Sequence, residues 1–127
     1  MKKKILVIDD DPAASQLIAE LLQAQGHEAV ASFNFEDALR RAQQGAPDLV
    51  VVDAVMPEIS GFEACRKLKK MFETRPPLVI MMTAKFSAFD PILAREMGAD
   101  DFVVKTGDMS FVVKAVRDIF PKEGLSS

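Results

Sequence analysis

The sequence predicts an α/β protein, a parallel sheet covered on both faces by helices to give three layers. Three observations predict it. Short, continuous apolar runs alternate with segments of helical periodicity, in five strand–helix units. The runs lack the polar–apolar alternation of a half-exposed strand, as expected where both faces are buried. Four of them end on residues that carry chemistry: Asp9-Asp10, Asp53, Thr83 and Lys105.

In chain order, Ile5-Leu6-Val7-Ile8 reads as the first strand. Residues 12–25 follow as a helix, with Leu17, Ile18, Leu21 and Leu22 at helical spacing and Gly26 as its stop. Pro12 suits a first turn, and Asp10 or Asp11 a cap. Residues 28–32 make a weaker strand, and 36–44 a helix ended by Gly45 and Pro47. Leu49 to Val52 is the third strand, closing on Asp53, and a loop runs over 54–60. Residues 62–72 place Phe62, Cys65, Leu68, Met71 and Phe72 along a helix that Pro76-Pro77 separates from the next strand. That fourth strand, 78–82, ends at Thr83. A short helix over 91–97 stops at Gly98. A last strand over 102–104 ends at Lys105, and a final helix spans 109–120. The expected domain is 1–121, with 122–127 a C-terminal tail or the start of a linker.

With 127 residues and a net charge of −3, the chain is one domain without the basic patch of a nucleic-acid binder. The apolar start is too short for a signal peptide or membrane span, so the expected location is cytoplasmic. Cys65 is the only cysteine, which excludes an internal disulfide; it reads as a small core residue. His27, the only histidine, follows a helix stop and is expected to be exposed.

Ligands of parallel α/β sheets bind outside the carboxyl ends of the strands, where strand order reverses. Asp9, Asp10, Asp53, Thr83 and Lys105 should therefore converge on one rim. Three carboxylates in one crevice repel one another, and a hard divalent cation relieves that. Magnesium suits such oxygen ligands and keeps waters that a phosphate can displace. A carboxylate nucleophile, a metal, a lysine and a hydroxyl together suit carboxylate-to-phosphate chemistry.

Here the sequence resembles the response-regulator receiver domain of two-component signalling, over roughly residues 3–120. The resemblance rests on residues 5–11, on 48–57 with Gly61, on Met82-Thr83-Ala84, and on 98–105. It implies a flavodoxin-like, five-stranded parallel sheet in order 2-1-3-4-5 with five helices. It implies that Asp9 and Asp10 hold Mg2+, Asp9 largely through water, with Mn2+ able to substitute. Asp53 would be the phosphoacceptor and the backbone carbonyl of Val55 would complete the metal shell. Thr83 would move toward the phosphoryl group, Lys105 would contact it, and Phe102 would swing inward into the space that Thr83 leaves. The donor would be a histidine kinase or histidine phosphotransfer protein. The receiver would catalyse its own phosphorylation and dephosphorylation, and the surface of the fourth helix, fifth strand and fifth helix would change, with homodimerisation there an option. No direct nucleic-acid or membrane partner is implied.

The sequence departs from the family after Lys105, where Thr106 replaces the usual proline and its cis bond. A cis bond before a non-proline costs about 2.5–4 kcal/mol, so a trans bond with a remodelled loop is favoured, with Gly107 supplying backbone freedom. Lys85 either tunes access to the phosphate or is a solvated loop charge. The apolar side chain of Val55 cannot position a water, which suggests slow autodephosphorylation. Asp11 is read as a helix cap. Asp100-Asp101 are read as the surface start of the fifth strand, or else as dimer contacts with Lys114 and Arg117. A degenerate binding module, a haloacid-dehalogenase-type phosphotransferase and a nucleotide binder are the other readings. The retained site residues count against the first. Val55 in place of a second aspartate counts against the second, and the lack of a glycine-rich loop after the first strand against the third.

Overall fold

A computed structural model describes residues 2–120; the expected boundary at residue 121 and the tail at 122–127 lie outside them. The elements are β1 (Lys4–Ile8), α1 (Pro12–Ala24), β2 (Glu28–Ser32), α2 (Phe35–Gln44), β3 (Leu49–Asp53), α3 (Gly61–Met71), β4 (Leu78–Thr83), α4 (Pro91–Glu96), β5 (Asp101–Val104) and α5 (Ser110–Ile119). The strands form one parallel sheet in the order β2-β1-β3-β4-β5. This is the flavodoxin-like order that the resemblance implies. A single turn of 3-10 helix, Phe86–Ala88, was not legible in the sequence.

Alternate residues of each strand enter opposite cores, as the pleat requires. Leu6, Ile8, Val50, Val52, Val79 and Met81 pack with Ala38, Ala64, Cys65, Leu68 and Ala94 of α2, α3 and α4. Ile5, Val7, Leu49, Val51, Ile80 and Met82 pack with Ile18, Leu22, Val112 and Val116 of α1 and α5. Each large apolar side chain buried this way contributes about 1.5–3 kcal/mol.

Helix ends follow local chemistry. Asp11 caps α1, its carboxylate accepting from Ala13 N at 3.0 Å. Asn34 caps α2 and Ser60 caps α3 through the amides of Asp37 and Glu63. Gly98 takes φ +101 behind α4, a conformation that costs a side-chain-bearing residue energy.

Asp37 ties β2 to α2. Its carboxylate accepts from Ser32 Oγ at 2.7 Å and Arg41 Nε at 2.8 Å, and pairs with Arg40. The Ser32 hydroxyl, and then Arg41, hold the Asp37 carboxyl below its ordinary range. A depressed carboxylate stabilises the fold above its unfolded pKa, near 3.8, and that stabilisation is lost as pH falls through the lower folded value. Asp37→Asn should therefore lower stability by about 1 kcal/mol at pH 7, with the difference shrinking toward pH 3. Urea unfolding at both pH values measures this; an equal difference at each would contradict it.

The structure departs from two expectations. His27 is half-buried, not exposed: its Nδ1 accepts from Lys3 N at 3.2 Å and its ring faces Phe120. Burial, then nearby positive charge, pulls its pKa down. Gly107 does not carry the unusual backbone of the β5–α5 loop. Met109 does, with φ 58, so α5 starts at Ser110 and not at Met109.

Candidate functional site

The parallel register brings the carboxyl ends of the strands level: Ile8 lies beside Val52, Asp53 beside Met82, and Thr83 beside Val104. The residues that follow or close the strands therefore meet. Strand order reverses between β1 and β3, which remain parallel, so Asp9 and Asp53 flank the switch point. All five expected residues line one cleft of about 220 Å³, together with Val55 and Lys85.

Asp9 is fully buried, Asp53 is 6% exposed and Thr83 2%, while Asp10 is exposed. Carboxylate oxygens of Asp9, Asp10 and Asp53 lie within 4.8 Å of one another. Lys105 Nζ sits between two of them, donating to Asp53 Oδ2 at 2.6 Å and Asp9 Oδ2 at 2.7 Å. The other oxygens are held by backbone: Asp11 N donates to Asp9 Oδ1 and Val55 N to Asp53 Oδ1, both at 2.9 Å.

Burial pushes the Asp9 carboxyl above its ordinary range, against its bonds from Lys105 and Asp11, and the Asp53 charge adds to the rise. Burial pulls the Lys105 ammonium down, but its bonds to Asp53 and Asp9 outweigh that and its pKa rises. Three ionised carboxylates and one ammonium leave a net charge of −2. A divalent cation neutralises that charge, and the oxygen-only donor set is what a hard cation takes. The cluster thus fits Mg2+.

Thr83 Oγ1 is engaged locally, accepting from Lys85 N at 3.0 Å and donating to Lys85 O at 3.3 Å. Phe102 is already inside, 9% exposed. It packs edge-on to Phe62 at 5.9 Å and tilted against Phe89 at 4.8 Å. The aromatic partner Phe89 went unread because it lies in a loop with no periodic signal. Gly61, which the sequence offers as a match to the family and no more, packs against the backbone of Asp53 and donates its amide to Ala54 O at 2.9 Å.

Among the described residues every peptide bond is trans, including that before Thr106, as favoured. Asp100 and Asp101 are both exposed where β5 starts, and the Asp100 carboxylate accepts from Val79 N at 2.8 Å and Lys69 Nζ at 2.9 Å. Lys114 pairs with Asp118 on its own helix. Cys65 is buried, its thiol pushed up to about 11 by burial, so it is a core residue.

The fold and cleft define a doubly wound α/β protein with its charged groups at the topological switch. The response regulator receiver domain model matches residues 5–117, and the chain belongs to that family, the receiver domain of two-component systems. PilH of Pseudomonas aeruginosa is 33% identical over 116 residues, spanning 91% of this chain and 96% of its own length. The alkaline phosphatase synthesis transcriptional regulatory protein PhoP of Bacillus subtilis is 37% identical over 105 residues, 83% of this chain. The chain spans only 43% of PhoP. Among solved structures, the response regulator TrrA of Thermotoga maritima, in complex with Mg(2+)-BeF, is 33% identical with a TM-score of 0.79. The match covers 93% of this chain and 99% of TrrA. No helix among the described residues is long and apolar enough to cross a membrane.

Proposed function

We propose that this receiver domain takes a phosphoryl group on Asp53 in an Mg2+-dependent step and relays the change through its α4–β5–α5 face. The observation that carries this is the Asp53 carboxylate, buried at the switch point, 2.6 Å from Lys105 Nζ and in one cluster with Asp9 and Asp10. A phosphohistidine on a histidine kinase or phosphotransfer protein is the donor. An Asp53 oxygen forms the new P–O bond while the P–N bond to histidine breaks, and the imidazole leaves with the electron pair.

Asp9, Asp10, Asp53 and the Val55 carbonyl would hold Mg2+, or Mn2+ in its place. The cation supplies charge stabilisation for the transferring phosphoryl oxygens. Lys105, already aimed at Asp53 Oδ2, supplies a point charge to the same oxygens. Thr83 exchanges its bond to Lys85 N for one to the phosphoryl group, which frees the Lys85–Phe89 segment. Phe102 then reports the change through Phe89, which already rests on it. Val55 offers no group to position a water, which favours a long-lived phosphoaspartate. The exposed Lys85 side chain at the cleft draws in anionic donors. The domain works in the cytoplasm, makes no direct contact with nucleic acid or membrane, and is able to pair with a second copy through α4, β5 and α5.

The relative TrrA was solved with Mg(2+)-BeF, and that phosphoryl mimic provides the test. Calorimetric titration with beryllofluoride should show saturable binding in Mg2+ and at least about tenfold weaker binding in excess EDTA, a loss of about 1.4 kcal/mol or more. Equal binding in chelator would refute the metal-dependent reading.

A further inference from the structure

Lys105 is fixed from two sides. On the strand side its amide donates to Thr83 O at 2.8 Å. On the helix side the chain must turn into α5 within four residues, 106–109, without the proline usual after this lysine. Those residues form a cross-braced loop. Thr106 Oγ1 donates to Asp108 Oδ1 at 2.9 Å, and the same oxygen accepts from Ser110 N, the first residue of α5, at 3.0 Å. Met109 N donates to Thr106 O at 3.1 Å. Met109 takes the left-handed conformation and is 5% exposed, in the core layer formed by α1 and α5.

The left-handed residue is the informative one. Gly107, two residues earlier, has open space around it and needs no positive φ. The turn instead falls on a large side chain, whose burial anchors the loop in the core. Thr106 is therefore tied by a side-chain bond to Asp108, which in turn holds the first amide of α5, and by a backbone bond to the buried Met109.

We infer that Thr106 and Asp108 are positioning residues. Their bond, backed by the buried Met109, takes the place of a proline in fixing the residue after Lys105, and so aims Lys105 Nζ at Asp53. This rests on the phosphoacceptor reading of Asp53. A misplaced charged group forfeits rate even where the fold survives.

The test is the rate of Asp53 labelling by acetyl phosphate in saturating Mg2+, with the folded fraction of each sample followed by circular dichroism. Thr106→Val keeps the shape and removes the hydroxyl; it should slow labelling about fivefold to tenfold in fully folded protein. Thr106→Ser should restore the rate to within about twofold. Asp108→Ala, which also gives up the bond from Ser110 N, should slow it at least as much as Thr106→Val does, and the double variant should be no slower than Asp108→Ala, because the Thr106–Asp108 bond is already lost there. A wild-type rate in Thr106→Val, no rescue by serine, or multiplied losses in the double variant would each overturn the inference. Absence of labelling in the unaltered protein would instead overturn the reading of Asp53.

Discussion

Asp53→Asn should lower acetyl phosphate labelling by at least about a thousandfold, with the protein still folded. An amide is isosteric with the carboxylate but supplies no anionic oxygen to attack phosphorus. The change also touches two contacts. Val55 N still finds an acceptor oxygen. The amide nitrogen, however, would face Lys105 Nζ, now 2.6 Å from Asp53 Oδ2, with donor against donor. Lys105 would turn wholly to Asp9. Against that loss, removing one of three clustered carboxylates relieves repulsion. The two effects oppose, so thermal unfolding should move little and loss of label cannot be put down to loss of fold. Neither neighbour is an equal substitute. Asp9 is fully buried with its carboxyl pushed up, and Asp10 is exposed without the lysine contact. Mass spectrometry of labelled protein checks this directly. Label retained at the wild-type level in Asp53→Asn, on Asp10 or elsewhere, would remove Asp53 as the acceptor.

The site was legible because each of its residues closes or follows a strand, and strand ends are marked by where apolar runs stop. The run from Leu49 to Val52 locates Asp53, and parallel register then places Thr83 and Lys105 beside it. Sequence pattern carries no such information for loops. The Phe86 turn, the contact of Phe89 with Phe102, and the left-handed Met109 all depend on packing across the chain. Asp100 shows the limit from another side. A charged residue before a strand looks like a surface residue, and Asp100 is one. Its job of capping the Val79 amide and meeting Lys69 depends on α3 and β4 lying alongside. His27 fails for the same reason: Lys3 and Phe120, its neighbours, come from opposite ends of the chain. Even Thr106, flagged by its departure from the family, misdirects attention to Gly107, the obvious source of freedom, when the strained residue is the one with a side chain worth burying.

Gly61→Ala should be among the most damaging single changes outside the charged cluster. A Cβ there would lie 2.2 Å from the Asp53 carbonyl oxygen, 2.7 Å from Ala54 Cα and 2.8 Å from the Asp53 carbonyl carbon. All three are backbone atoms, so no side chain can rotate aside. The start of α3 must move off the end of β3, which stretches the 2.9 Å bond from Gly61 N to Ala54 O. Overpacking against backbone costs about 3 kcal/mol, a large part of the roughly 5–15 kcal/mol that holds a domain folded. The midpoint of thermal unfolding should fall by about 10 °C. The strain also lands on the residue that positions the candidate nucleophile, so labelling of the protein that remains folded should slow by at least about tenfold. Gly107→Ala is the matched control. Its Cβ meets nothing within 4 Å and its φ is not positive, so stability and labelling should stay near those of the unaltered protein. If Gly61→Ala melted and labelled as the control does, the close approach of α3 to Asp53 would not be a constraint on the site.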